Sequence, residues 1–75
     1  METDSDFYKR LLEKYPNLTK NELRLCAFLR LNFSSKEISA ITQQSPHSIV
    51  VARSRLRKKI GLDESQSLTN FLVQF

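Results

Sequence analysis

The side chains able to do chemistry in this chain are few, and most of them are cationic. Arg53, Arg55, Arg57, Lys58 and Lys59 put five positive charges into seven positions of the stretch SPHSIVVARSRLRKKI, residues 45–60. From Ile38 to Leu62 there is no acidic residue. Residues 1–37, by contrast, hold six of the eight acidic and seven of the twelve basic side chains. A single-signed stretch in an otherwise balanced chain is the electrostatic footprint of a polyanion partner. A solvated helix face can carry the same charges with no partner at all. Lys or Arg in a last helical turn also complements the helix dipole, which accounts for two or three of the five.

Other chemistries find little to work with. His47 is the only histidine and Cys26 the only cysteine, so no cluster of zinc ligands and no internal disulfide can form. The single Gly, Gly61, excludes a glycine-rich phosphate loop. The serines near His47 each have a helix-capping role, which leaves none assigned to a Ser–His–acid arrangement. Asp63 and Glu64 are adjacent carboxylates in a turn, placed for solvent or a helix start. The reading is therefore of a protein that is not an enzyme, with no catalytic residue, no metal, no cofactor and no small-molecule ligand.

The elements that position the basic residues follow from composition and punctuation. Seventy-five residues allow one domain, and 40% apolar with 27% charged residues is ordinary for a folded one. One Gly and two Pro are too few turns for an all-β fold and favour helices with short connections. No apolar run reaches the ~18 residues of a membrane span, and the acidic start METDSD is not a secretory signal. A lone cysteine fits a reducing cytoplasm. The net charge is +4 and the pI about 9.6.

Helix signals divide the chain into an N-terminal helix or linker segment, 1–16, and a helical domain, 17–75. Phe7, Tyr8, Leu11, Leu12 and Tyr15 fall at helical spacing from about Asp4, and Pro16 ends that segment. Thr19 and Glu22 form a capping box, and so do Ser34 and Glu37. Asn32 suits the left-handed residue that closes the helix between them. In the short segment after Ser34, Ile38 and Ile41 are expected to point inward. Ser45 as cap with Pro46 at the first helical position opens a longer helix that Gly61 ends. A last segment, from about Ser67 to Phe75, puts Leu68, Phe71, Leu72 and Phe75 on one stripe. A short helix, a tight turn and a longer basic helix in this order outline a helix-turn-helix unit.

On a wheel of about 100° per residue, Ile49, Ala52, Leu56 and Ile60 form a narrow core stripe on the long helix. His47, Val50, Val51, Ser54, Arg55, Arg57 and Lys58 lie on the face opposite, with Arg53 at the flank. The amino end of that outer face is small and neutral, and the carboxyl end is strongly basic. A recognition helix enters the DNA major groove with its amino-terminal part against base edges. Small residues there permit close approach, valine methyls can meet the thymine 5-methyl group, and arginines can hold phosphates or guanine.

The segment LTKNELRLCAFLRLNFSSKEISAITQQSPHSIVVARSRLRKKIGL, residues 18–62, resembles the DNA-binding domain of LuxR/GerE-type bacterial transcriptional regulators. The resemblance is carried by Leu18, Thr19 and Glu22, by Ser35-Lys36-Glu37-Ile38-Ser39, by Ser45, Ser48 and Ile49, and by the run Lys58 to Leu62. The ending Arg53 to Ile60 is most similar to regulators of the Bacteroidetes type. The resemblance implies an all-α bundle, a four-helix core here preceded by an N-terminal helix, in a winged-helix-like superfamily. It implies that Val50, Val51 and Ser54 face bases, that Lys36 and Ser48 meet phosphate, and that the basic end of the helix meets backbone or flanking bases. It also implies a homodimer through the last helix, at Leu68, Phe71, Leu72 and Phe75. Three positions depart from the pattern. Val50 stands where many members have a polar or basic residue, Ala52 replaces a frequent His, and Asn32 replaces the usual Gly.

The expected function is double-stranded DNA binding by a transcriptional regulator of the bacterial cytoplasm, associated with the nucleoid. The expected DNA-facing residues are Lys36, His47, Ser48, Val50, Val51, Arg53, Ser54, Arg55, Arg57 and Lys58. The alternative is a protein-interaction or dimerisation module that uses the C-terminal apolar helix.

Overall fold

Among the described residues, four hydroxyls each satisfy a backbone donor at the start of a helix, Thr19, Ser34, Ser45 and Ser67, and these caps set the order of elements. In the computed structural model, which describes residues 4–75, the helices are α1 (Asp4–Lys14), α2 (Lys20–Arg30), α3 (Ser35–Thr42), α4 (Pro46–Ile60) and α5 (Leu68–Gln74). There is no strand among the described residues. The fold is thus a small all-α bundle.

Both expected capping boxes are closed. Thr19 Oγ1 accepts from the Glu22 amide at 3.2 Å, and Glu22 Oε1 accepts from the Thr19 amide at 2.8 Å. Ser34 and Glu37 repeat the exchange at 3.1 and 2.9 Å. Ser45 caps α4 through the Ser48 amide at 3.1 Å, ahead of Pro46. Ser67 caps α5 through the Asn70 amide at 3.2 Å. The α2 terminus is a left-handed closure at Asn32, φ 68°. The Phe33 amide reaches back to the Phe28 carbonyl at 3.1 Å, and the Asn32 amide to that of Leu29 at 2.9 Å. The Phe28 and Phe33 rings meet edge-on at 5.7 Å, the apolar contact that accompanies such an end. Gly61, φ 89°, ends α4 in the same way, with the Leu62 amide on the Arg57 carbonyl at 3.0 Å.

α2 is the central helix. α5 lies along it, α1 and α4 touch it, and α3 packs on α4. The core takes Phe7 and Leu11 from α1, Cys26 and Leu29 from α2, Ile38 from α3, Ile49 and Leu56 from α4, and Leu68 and Leu72 from α5, all 2% exposed or less. Lys59 ties the end of α4 to the start of α2, with Nζ 2.7 Å from Glu22 Oε1 and 3.2 Å from the Asn17 carbonyl oxygen. The Arg30 guanidinium stacks over the Phe7 ring at 4.5 Å.

Ile41 corrects the expected orientation of α3, because it is 52% exposed. The inward stripe is Ser35, Ile38, Ser39 and Thr42, spaced i, i+3, i+4 and i+7, and Ser39 is buried where a second isoleucine was expected. Small residues let α3 approach α4 closely, and their hydroxyls find local partners. Ser39 Oγ donates to the Gln44 carbonyl and Thr42 Oγ1 to the Ile38 carbonyl, each at 2.7 Å.

Candidate nucleic-acid interface

Residues 43–45 alone separate α3 from α4, and Gln43 makes the turn possible by taking a left-handed backbone, φ 59°. The turn is fastened by the Ser39 bond to Gln44 and by the Ser45 cap of α4. The two helices therefore form one packed unit. Its outer surface is the face of α4 turned from the core, together with the start of α3.

That surface gathers most of the residues expected to meet DNA. Lys36 on α3 and His47, Ser48, Val50, Ser54, Arg55 and Lys58 on α4 are exposed, while Val51, Arg53 and Arg57 are half-buried. His47, Val50, Val51, Ser54 and Lys58 follow the i, i+3, i+4, i+7, i+11 row of one helix face. Val50 is 55% exposed, unusual company for so many charges. Lys36, Arg55 and Lys58 form no ion pair with any described residue. Ser48 Oγ lies 2.9 Å from Ser45 Oγ, so its hydroxyl is shared with the cap.

Arg53 and Arg57 are held by the protein itself, which sequence reading did not separate from the free cations. Arg53 Nη1 donates to Ser35 Oγ at 2.8 Å. Burial, and secondarily the Arg57 charge, lowers the pKa of Arg53, though a guanidinium stays charged at neutral pH. Arg57 Nη1 donates to the carbonyl oxygens of Asp63, at 3.1 Å, and Gln66, and so clasps the loop that leads to α5. Lys59 is spent on Glu22. Ser35 is the residue that sequence reasoning missed here. It was read as part of a motif, whereas its hydroxyl holds Arg53.

Val50, Arg53, Ser54, Arg57 and Lys58 line, with Ser35, an open hollow of about 640 Å³ beside α4. Leu62, Asp63 and Glu64 of the following loop line it too. The hydroxyl and amide of Ser65 bond the Asp63 carboxylate at 2.5 and 2.9 Å. These bonds hold Asp63 below the ordinary carboxylate range and so keep it ionised. The hollow is thus cationic and apolar near α4 and anionic at the loop.

The C-terminal stripe divides. Leu68 and Leu72, expected at a dimer interface, are 1% and 0% exposed inside the monomer core, because α5 lies flat along α2. Phe71 and Phe75 stay half-buried at the surface. Phe71 meets Tyr15 at 6.4 Å, and Phe75 meets Phe7 edge-on at 6.2 Å with the Arg10 guanidinium 5.9 Å above it.

No family model, curated protein or solved structure matches this chain. The LuxR/GerE resemblance accordingly rests on the motifs quoted above. Among the described residues no group of His, Cys, Asp and Glu could hold a metal ion, and no helix is long and apolar enough to cross a membrane.

Proposed function

We propose that this chain binds double-stranded DNA as the helix-turn-helix module of a bacterial transcriptional regulator of LuxR/GerE type, with α4 in the major groove. The observation that carries the reading is the exposed outer face of α4. It is small and uncharged at Ser48, Val50 and Ser54, carries His47 at its start, and is cationic at Arg55 and Lys58, with Lys36 beside it on α3. A helix with small side chains at its amino end can approach base edges, while cations at its flank and far end neutralise phosphates. Lys36, Arg55 and Lys58 are the phosphate ligands in this reading, since each is exposed and unpaired among the described residues. Dimerisation, as part of the same proposal, falls to Phe71 and Phe75, the two stripe residues that a partner can reach. The chain is a binding module and not an enzyme in this reading.

Fluorescence anisotropy of the domain against mixed-sequence duplex DNA, titrated with salt, tests it. Three phosphate contacts per domain give a slope of about −3 in log K against log salt. Absence of binding at low salt refutes the proposal.

A further inference from the structure

Resting on the duplex-binding reading, we infer that α4 selects its site through the 5-methyl group of a pyrimidine in the major groove, read by Val50, and not through arginine bonds to guanine. Two independent sets of contacts lead there. Three arginines of α4 have the fork that bonds guanine O6 and N7: Arg55, exposed and unpaired, is a phosphate ligand in the duplex-binding reading, and Arg53 and Arg57 are both engaged. Arg53 is bonded to Ser35 Oγ at 2.8 Å, and Arg57 to the Asp63 and Gln66 carbonyls. Each must give up an intramolecular bond to reach a base. Val50 is 55% exposed, one turn from the exposed Ser54, on the wall of the cationic hollow. Its methyls have no base-pairing group to bond. What an aliphatic side chain can distinguish in the major groove is the pyrimidine 5-methyl, which thymine and 5-methylcytosine carry and cytosine and uracil lack. Ser54 tolerates either a donor or an acceptor on the neighbouring base, so it adds little discrimination of its own.

The test uses the whole chain and a duplex enriched from a random library. Each thymine of that duplex is replaced singly by deoxyuracil, and each cytosine by 5-methylcytosine. At one or two positions the loss of the methyl is expected to weaken binding about fourfold, the effect of one buried methyl group. Val50→Ala, an exposed change that leaves the core intact, abolishes the difference, whereas Arg55→Ala weakens binding and keeps it. Duplex binding indifferent to uracil at every position overturns the inference and leaves the DNA reading standing. So does a guanine preference that disappears in Arg53→Ala, Arg55→Ala or Arg57→Ala. No duplex binding at all removes both.

Discussion

Arg53 and Ser35 stand 18 residues apart in the chain and meet at 2.8 Å, the guanidinium donating to the hydroxyl oxygen. The bond joins the first turn of α3 to the middle of α4. It also withholds Arg53 from anything outside. Ser35→Ala removes the acceptor from a half-buried cation, so a loss of about 1 kcal/mol is expected, or a fall in Tm of about 4–8 °C. Thermal melts followed by circular dichroism measure it, and an unchanged Tm shows that the bond is dispensable.

Replacing Lys36, Arg55 or Lys58 by Ala separates binding from folding. All three are exposed, so stability stays within about 0.5 kcal/mol of the parent. Each change is expected to weaken binding to every duplex and to reduce the salt slope by about one. A substitution that alters sequence preference instead places that residue at a base edge.

Leu72→Ala distinguishes a core role from an interface role. Leu72 is fully buried in the monomer, and truncating such a leucine costs about 2–5 kcal/mol. The expected outcome is a largely unfolded chain at a concentration where Phe75→Ala remains folded. A folded L72A that changes only its sedimentation behaviour contradicts the packing of α5 on α2.

Acid should destabilise the fold through carboxylates that are caps or pairs. Burial pushes the Glu22 carboxyl up, but the Lys59 hydrogen bond, the Thr19 amide, the Lys59 charge and the Thr19 hydroxyl together hold it below its ordinary 4.5. Glu37 is lowered by the Ser34 amide and hydroxyl, and Asp63 by the Ser65 hydroxyl and amide. A depressed folded-state pKa means that the unfolded chain takes up protons first. The stabilisation is complete above the ordinary carboxylate values and is lost as pH falls through the lowered ones. Urea midpoints should therefore decline below about pH 4.5, and Glu22→Gln should flatten that decline.

Cys26 should be inert in the native protein. It is fully buried, and desolvation, with the Glu22 charge second, pushes its thiol up to about 12. Only the thiolate is reactive, so an aromatic disulfide reagent at pH 8 should modify Cys26 no faster than the domain opens. Rapid modification without denaturant indicates that the α2 face is accessible.

Helix boundaries were legible in the sequence, because each depends on residues three or four apart. The boxes Thr19–Glu22 and Ser34–Glu37, the pair Ser45–Pro46, and the left-handed residues Asn32 and Gly61 are local chemistry, and the helices begin and end where they stand. The α4 core stripe followed from the same periodicity, since Ile49, Leu56 and Ile60 are buried and Ala52 is half-buried. What only the tertiary structure decided is which side chain faces which neighbour. Hydrophobicity assigned Ile41 inward, but close packing of α3 on α4 favoured Ser39 and turned Ile41 to solvent. The apolar stripe of α5 had two possible uses, and its contact with α2 drew Leu68 and Leu72 into the core. The basic run read as one electrostatic footprint, with Arg53 at its flank and Lys59 outside the DNA-facing set. Long-range partners at Ser35, at the Asp63 and Gln66 carbonyls and at Glu22 occupy Arg53, Arg57 and Lys59, and leave Arg55 and Lys58 unpaired. Capping is settled within one turn of chain, whereas the availability of a long cationic side chain depends on groups up to 42 residues away that folding brings within its reach.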